Sequence, residues 1–357
     1  MGNNIFSGDN EKLKSFRSPG FKVAQNSNIS VRSAHFYMSV RHTVECSEID
    51  QVANSMATGK APGMTKFHCV KSRIAFPLFF ILPMLTSIVN NSLTSGVFLS
   101  MWKTAEVIPI HKNLFHEKPE NNRLTSLLPI LSKICERIAL NQFMPYLVLN
   151  ERLSTNQSGN KIWHSKETSL IYTTDKILGA IDQKETTAMV LLDMSKAFDS
   201  ISHKTLLYKL RDIGASTSAI DWFRSYLFNR TQIVLVNTKI SDPLPLTSGV
   251  PQGSILGPML VGVYVNDLQS TPKHCLVESY VDDSKLYMQF QPHDSGNIVA
   301  ALNEDLVSMR NWCFENGLLL NPDKTKLIIY GSRQMTAKIP EFRLTLLGKD
   351  LEPSETV

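Results

Sequence analysis

Apolar positions recur along this chain at two spacings, and the change from one to the other marks its elements. From Glu45 to Ala57, Ile49, Val52, Ala53 and Met56 fall three and four residues apart, which predicts an amphipathic helix. Gly59-Lys60-Ala61-Pro62-Gly63 breaks the pattern into a loop. Ser72 to Ser92 is apolar and interrupted by prolines, one helix or two, ended by Gly96. Trp102 to Ile110 has β-character, with Lys103, His111 and Lys112 as its basic residues, and a polar loop follows from Asn113 to Arg123. Ser126 to Tyr146 predicts a helix: Ser126 can cap it, Pro129 sits early, Ile130, Ile134 and Ile138 form a stripe, and Pro145 helps end it. Ser165 to Asp182 is a second amphipathic helix. Thr187 to Leu192 is short and continuously apolar, the pattern of a strand covered on both faces. Helices are predicted at Ser202–Ile213, stopped by Gly214, and at Ala219–Phe228. Strands follow at Thr231–Val236 and Leu244–Thr247. After a glycine and proline loop at Gly249–Pro258 come a helix at Met259–Leu268, a helix at Ile298–Cys313 and a strand at Lys326–Tyr330. Helices alternating with sparse strands and no internal repeat argue for an α+β protein.

Between the last two helices lies a different pattern. Apolar and β-favouring residues run up to Val281, Asp282 and Asp283 follow, and a second strand-like run occupies Leu286–Phe290. This predicts a β-hairpin with two carboxylates at its tip. Adjacent like charges repel, and each wants a counter-charge. A solvated acidic turn accounts for the pair, and so does a divalent-metal site that takes a third carboxylate from elsewhere. Asp193, at the C-terminal end of the buried strand, is placed to supply it; capping the next turn is the other role open to it. Nucleotidyl transfer uses paired divalent metals about 3.5–4 Å apart. Mg²⁺ takes carboxylate oxygens, with waters and substrate phosphates completing its shell.

Composition narrows the classes. With 357 residues, 43% of them hydrophobic and 19% charged, the chain can bury a large core and hold two or three subdomains. A net charge of +5 is compatible with a polyanionic partner without requiring one. The five cysteines, an odd number, have no zinc-ligand spacing, which argues against a disulfide framework and for a reducing compartment. Ile74–Val89, broken by Pro77 and Pro83, falls short of a membrane span, and no signal-peptide pattern opens the chain.

Three blocks then occur in order: D-M-S-K-A-F-D-S-I-S-H-K-T-L-L-Y-K-L from Asp193, S-G-V-P-Q-G-S-I-L-G-P-M-L-V-G-V-Y-V-N-D-L from Ser248, and Y-V-D-D-S-K-L from Tyr280. Together they resemble motifs A, B and C of the reverse transcriptases of non-LTR, LINE-type, jockey-like retrotransposons. The resemblance extends to Trp102–Lys112, Leu127–Arg137, Gln157–Leu170 and Asn316–Lys326, and so covers roughly residues 45 to 335. It implies a right-hand polymerase fold with an RRM-like palm sheet. Residues 1–44 would be a polar remnant or linker, 45–185 the fingers, 186–340 the palm, and 341–357 the start of a thumb that is largely missing. It also implies an RNA-directed DNA polymerase using two Mg²⁺ ions, with Mn²⁺ as a substitute. The partners would be an RNA template, a DNA primer and dNTPs, without a membrane, and by analogy the enzyme would work on nuclear DNA.

Residue by residue, the resemblance makes Asp193 and Asp282 metal ligands, with Asp283 beside the metals. Phe198 would be a steric gate under C2′ of the incoming sugar, with a core phenylalanine as the plainer role. Gln252 and Gly253 would lie against the nascent base pair. Arg123 and Lys161 would contact the triphosphate, and Lys324 would protonate the leaving pyrophosphate, a task its neighbour Lys326 could also take. The chain departs from the family where N-Y-R-P-I-S reads Asn121-Asn122-Arg123-Leu124-Thr125-Ser126 and where G-F-R reads Gly159-Asn160-Lys161. His164-Ser165-Lys166 likewise stands for H-S-T. These changes gather in the fingers, while the three aspartates are intact. With no endonuclease segment, thumb or zinc knuckle expected, the chain would be weakly active and non-processive alone. A degenerate or co-opted copy that only binds RNA is the alternative, and a maturase-like protein a third.

Overall fold

The computed structural model describes residue 36 and residues 43–56, 71–111, 122–159, 164–236 and 239–354, with backbone alone at 71–79 and 111. The early part is helical: α1 (Cys46–Ser55) and α2 (Lys71–Ser95) pack together and lead into β1 (Thr104–His111) and β2 (Asn122–Leu127). Helix α2 is one helix, running through both Pro77 and Pro83. Buried Leu85, Val89 and Leu93 seat its C-terminal half, and that burial outweighs the backbone hydrogen bond each proline forfeits.

Residues 113–121 of the expected polar loop lie outside the described residues; its last two, Asn122 and Arg123, already belong to a strand, β2, antiparallel to β1 with Arg123 opposite Ile110. Ser126 therefore caps nothing. Helix α3 (Ile130–Leu149) starts later, with Pro129 at its N-cap and the Ser132 hydroxyl donating to the Pro129 carbonyl at 2.7 Å. Pro145 does not end it; it lies inside a helix held by buried Phe143, Met144 and Leu147. Helix α4 (Lys166–Asp182) begins at a capping box in which the Ser165 hydroxyl accepts from the Thr168 N–H.

Then come β3 (Thr186–Leu192), β4 (Met194–Ser195), α5 (Ala197–Ser200), α6 (His203–Asp212) and α7 (Thr217–Leu227). Gly214, at φ +98°, supplies the left-handed residue that stops α6. Strands β5 (Arg230–Val236), β6 (Lys239–Ile240) and β7 (Leu244–Leu246) precede α8 (Gly257–Tyr264). The hairpin is β8 (Leu276–Tyr280) and β9 (Asp283–Phe290), followed by α9 (Ser295–Glu315), β10 (Leu319–Leu320), β11 (Lys326–Tyr330), α10 (Arg333–Thr336), β12 (Leu344–Leu346) and β13 (Lys349–Leu351).

Two main sheets result. One has the order β2-β1-β5-β6, with β7 on β5; β1 and β5 are parallel. Residues 230–246 thus join the sheet of residues 104–127 across the expected division at 185. The other sheet, β11-β3-β9-β8, is antiparallel with β3 inside it, which is why that strand is apolar from Ala188 to Leu192; the buried Thr186 and Thr187 open it. Phe98 packs edge to face on Trp222 and Tyr226, whose rings stack on each other, and Trp222 Nε1 donates to Ser92 Oγ at 3.1 Å, pinning α7 to α2. Among the described residues no helix is long and apolar enough to cross a membrane.

Candidate active site

The register of β3 against β9 assembles the carboxylates. Leu191 lies opposite Lys285 and Leu192 opposite Ser284, so one further step along both chains brings Asp193 against Asp283. The main chain at Asp193 is held from the other side, its carbonyl accepting from the Asn321 N–H at 2.9 Å. Tyr280 pairs with Asp283, leaving Val281 and Asp282 as a two-residue hairpin loop. Such loops favour Asn or Gly where φ is positive. Here Val281 sits at φ +61°, a conformation a β-branched residue adopts only under constraint, at a cost of roughly 1–3 kcal/mol. The constraint is Gln157, whose buried amide accepts from the Val281 N–H at 2.9 Å and donates to the Val281 carbonyl at 3.3 Å.

Charge couples the cluster. Burial raises the pKa of Asp282 above the ordinary aspartate value, and Asp283 and Asp193 raise it further; its own backbone N–H and the Arg123 guanidinium pull the other way. Asp193, Asp282, Asp283 and Arg123 therefore share one electrostatic neighbourhood, although Arg123 comes from the other sheet. Three carboxylates are the hard oxygen donors that divalent cations take, and a cation would relieve the repulsion that disfavours ionised Asp282. Among the described residues, no three Asp, Glu, His or Cys side chains are gathered closely enough to hold an ion unaided, so water or substrate oxygens would complete its shell.

Beside the aspartates opens a cavity of about 360 Å³, lined by Asp193 and Asp283 with Lys166, Ser169, Tyr280, Lys285 and Lys324. The Lys166 ammonium lies 5.4 Å from the centre of the Tyr280 ring. Lys324 thus stands at the carboxylates, whereas Lys326 lies in β11, paired with Leu191. Phe198 is half-buried in α5; its carbonyl accepts from the Val250 N–H at 2.7 Å, and a Cβ on Gly257 would lie 3.6 Å from its ring. Lys161 lies outside the described residues.

Gln252 and Gly253 are bolted to β2. The Ser126 N–H donates to the Gln252 carbonyl at 2.7 Å. With its amide oriented as its neighbours require, the Gln252 side chain donates to the Leu124 carbonyl at 2.8 Å and accepts from Arg123 Nε at 3.3 Å. Gly253, at φ +119°, has no room for a side chain, because a Cβ would stand 2.5 Å from the Ser126 carbonyl. The loop thus sets Arg123.

Two further residues act on this site. Gln157 has been described. Glu136, on α3, is wholly buried and accepts from the Ile255 and Leu256 N–H groups at 2.8 and 3.2 Å, fixing the start of α8 behind the Gln252 loop. Neither stands out by periodicity; Gln157 is legible only as the first residue of its block, and Glu136 only as the acidic position within the Leu127–Arg137 block, with no role assigned to it there.

The sequence pattern of the family described as Reverse transcriptase (RNA-dependent DNA polymerase) matches residues 110–348, two thirds of the chain and all of the elements that carry the carboxylates. This chain belongs to the reverse transcriptase family. Reverse transcriptases have a palm-and-fingers polymerase fold and use divalent metal ions, and the mixed helix-and-sheet structure here accords with that fold. Among its relatives, a probable RNA-directed DNA polymerase from transposon BS of Drosophila melanogaster is 32% identical over 290 residues, 79% of this chain and 32% of the relative. The RNA-directed DNA polymerase from mobile element jockey of the same species is 31% identical over 71% of this chain and 28% of the relative. The probable enzyme from transposon X-element is 31% identical over 63% and 24%. The chain spans no more than about a third of the length of these curated relatives.

Proposed function

We propose that this chain is the RNA-directed DNA polymerase domain of a jockey-like non-LTR element, adding dNTPs to a primer 3′-hydroxyl on an RNA template during retrotransposition. The observation that carries the reading is the convergence of Asp193, Asp282 and Asp283 through the β3–β9 register, with Arg123 facing them. Asp193 and Asp282, with Asp283 adjacent, would hold two Mg²⁺ ions, which when bound polarise the phosphoryl oxygens and favour ionisation of the primer hydroxyl. The protein's own groups do the remaining work. Arg123, held at Nε by Gln252, presents its guanidinium nitrogens to the triphosphate. Phe198 excludes a ribose 2′-hydroxyl. Lys324, at the cavity edge, donates its ammonium proton to the leaving pyrophosphate oxygen.

In this reading the β11-β3-β9-β8 sheet is the palm, and the sheet containing β1 and β2 belongs to the fingers. The chain would act on nuclear DNA during target-primed synthesis. The intact carboxylates disfavour the reading as a degenerate RNA-binding remnant. The test is primer extension on an RNA template with Mg²⁺ or Mn²⁺. Wild type should extend the primer, and the double variant Asp282→Asn, Asp283→Asn should fall to background. Equal signal from the two would refute the assignment.

A further inference from the structure

The hairpin tip that carries Asp282 is built from a residue ill suited to its backbone. Val281 holds φ +61°, where glycine or asparagine would be expected, and it is buried, so water does not stabilise its N–H and C=O groups. All of the compensation comes from one side chain. Gln157 is 1% exposed; its Oε1 accepts from Val281 N–H and from Gly159 N–H, both at 2.9 Å, and its Nε2 donates to Val281 O at 3.3 Å. The segment around it is anchored to the same hairpin. Ser158 N–H donates to Ser279 O and Ser279 N–H to Asn156 O, each at 2.9 Å, forming a single parallel bridge from Gln157 to the edge of β8. Gly159 allows this approach, because a Cβ there would lie 2.6 Å from both Val281 N and Val281 Cγ2.

We infer that Gln157 is a positioning residue that clamps Val281 in its left-handed conformation and so fixes the direction in which Asp282 and Asp283 leave the hairpin. The inference deepens the polymerase reading and rests on it for its catalytic consequence. Gln157 touches no reacting atom. It acts through two main-chain hydrogen bonds, and a displacement of the tip by even 1 Å is of a size that costs about 100-fold in rate. The clamp also explains why a valine is tolerated at position 281: two hydrogen bonds from a buried amide replace the intrinsic freedom that glycine would bring.

The experiment is a double-variant cycle. Gln157→Ala should lower kcat for dNTP incorporation about 10- to 100-fold with the KM for dNTP changed less than about threefold. Adding Val281→Gly removes the need for the clamp and should recover about tenfold or more over Gln157→Ala alone. Hydrogen exchange should show lost protection at residues 281–283 with that of β3 and α9 retained. A kcat within about twofold of wild type in Gln157→Ala, or no recovery in the double variant, would overturn the inference. If Gln157→Ala does not fold, wild-type exchange decides. The Val281 and Gly159 amides should be as slow as the β8–β9 ladder amides, and exchange at the rate of an exposed turn would refute the clamp. If wild type does not extend primers, the polymerase reading fails while the exchange measurement still tests the clamp.

Discussion

Glu136→Ala should destabilise the protein by about 3–5 kcal/mol. The carboxylate is wholly buried and serves three groups at once: the Ile255 and Leu256 N–H groups at the start of α8, and the Tyr226 hydroxyl at 3.4 Å. Alanine leaves two backbone donors without an acceptor, Leu256 buried and Ile255 half-buried, at about 1–3 kcal/mol for a buried one. It also leaves the Arg230 guanidinium, 1% exposed, without the carboxyl group that lies near it. Glu136→Gln keeps an oxygen for the two N–H groups and should cost only about 1 kcal/mol near neutral pH. The pH dependence separates the two causes. Burial raises the Glu136 pKa above the ordinary glutamate value, and Arg230 and the two N–H bonds only partly oppose it. A raised folded-state pKa means that the folded protein holds this proton more tightly than the unfolded chain. Wild type should therefore lose stability relative to Glu136→Gln as pH rises above about 4.3, up to the folded-state pKa, at about 1.4 kcal/mol per pH unit. Urea denaturation of wild type and both variants across pH 4 to 9 reads these differences. A loss below about 1 kcal/mol for Glu136→Ala, or parallel pH curves for wild type and Glu136→Gln, would refute the reasoning. Because α8 carries the Gln252 loop, Glu136→Ala should also raise the KM for dNTP.

Three other outcomes follow from the same geometry. Gly253→Ala must place a Cβ 2.5 Å from the Ser126 carbonyl at φ +119°, and should cost about 2 kcal/mol or more in urea denaturation and raise the dNTP KM by releasing Arg123. Asp305, buried, accepts from the N–H groups of Lys273, His274 and Cys275 at 2.8–2.9 Å, and these bonds outweigh the upward push of burial to leave its pKa below the ordinary aspartate value. Its stabilisation is therefore present above about pH 3.9 and lost as pH falls through the lower folded value, and Asp305→Ala should cost about 2–4 kcal/mol at neutral pH and little below that window in acid titrations followed by circular dichroism. Phe198→Ala should narrow discrimination against rNTPs about 10- to 100-fold in competitive primer extension, and unchanged discrimination would make Phe198 a packing residue only.

The elements best read from the amino-acid order were those whose partner surfaces are generic. An apolar run such as Thr186–Leu192 needs only to be covered, and the stripe Ile298, Leu302, Leu306 and Met309 on α9 needs only an apolar neighbour, so periodicity suffices. Where a segment's state depends on one particular distant group, local pattern failed. Ser126 has the chemistry of a helix cap, yet its N–H is taken by the Gln252 carbonyl in a strand, 126 positions away along the chain. Pro83 and Pro145 are helix-breaking locally and tolerated because the buried faces around them supply more than one hydrogen bond. The join of β5 to β1, a parallel pairing between segments more than a hundred residues apart, has no signature in either segment.

The site divides in the same way. The candidate carboxylates were nominated by the amino-acid order alone: one after a buried strand, a pair after a second one, and ordered blocks around them are covalent facts of the chain. How those carboxylates face one another was decided only by folding. The one-step extension of the Leu192–Ser284 register sets Asp193 against Asp283, Arg123 reaches them from another sheet, and the Gln157 amide holds Val281 where its own side chain disfavours it. Hydrogen bonds and charge act through space over a few ångströms, and only the tertiary structure sets which distant residues come that near.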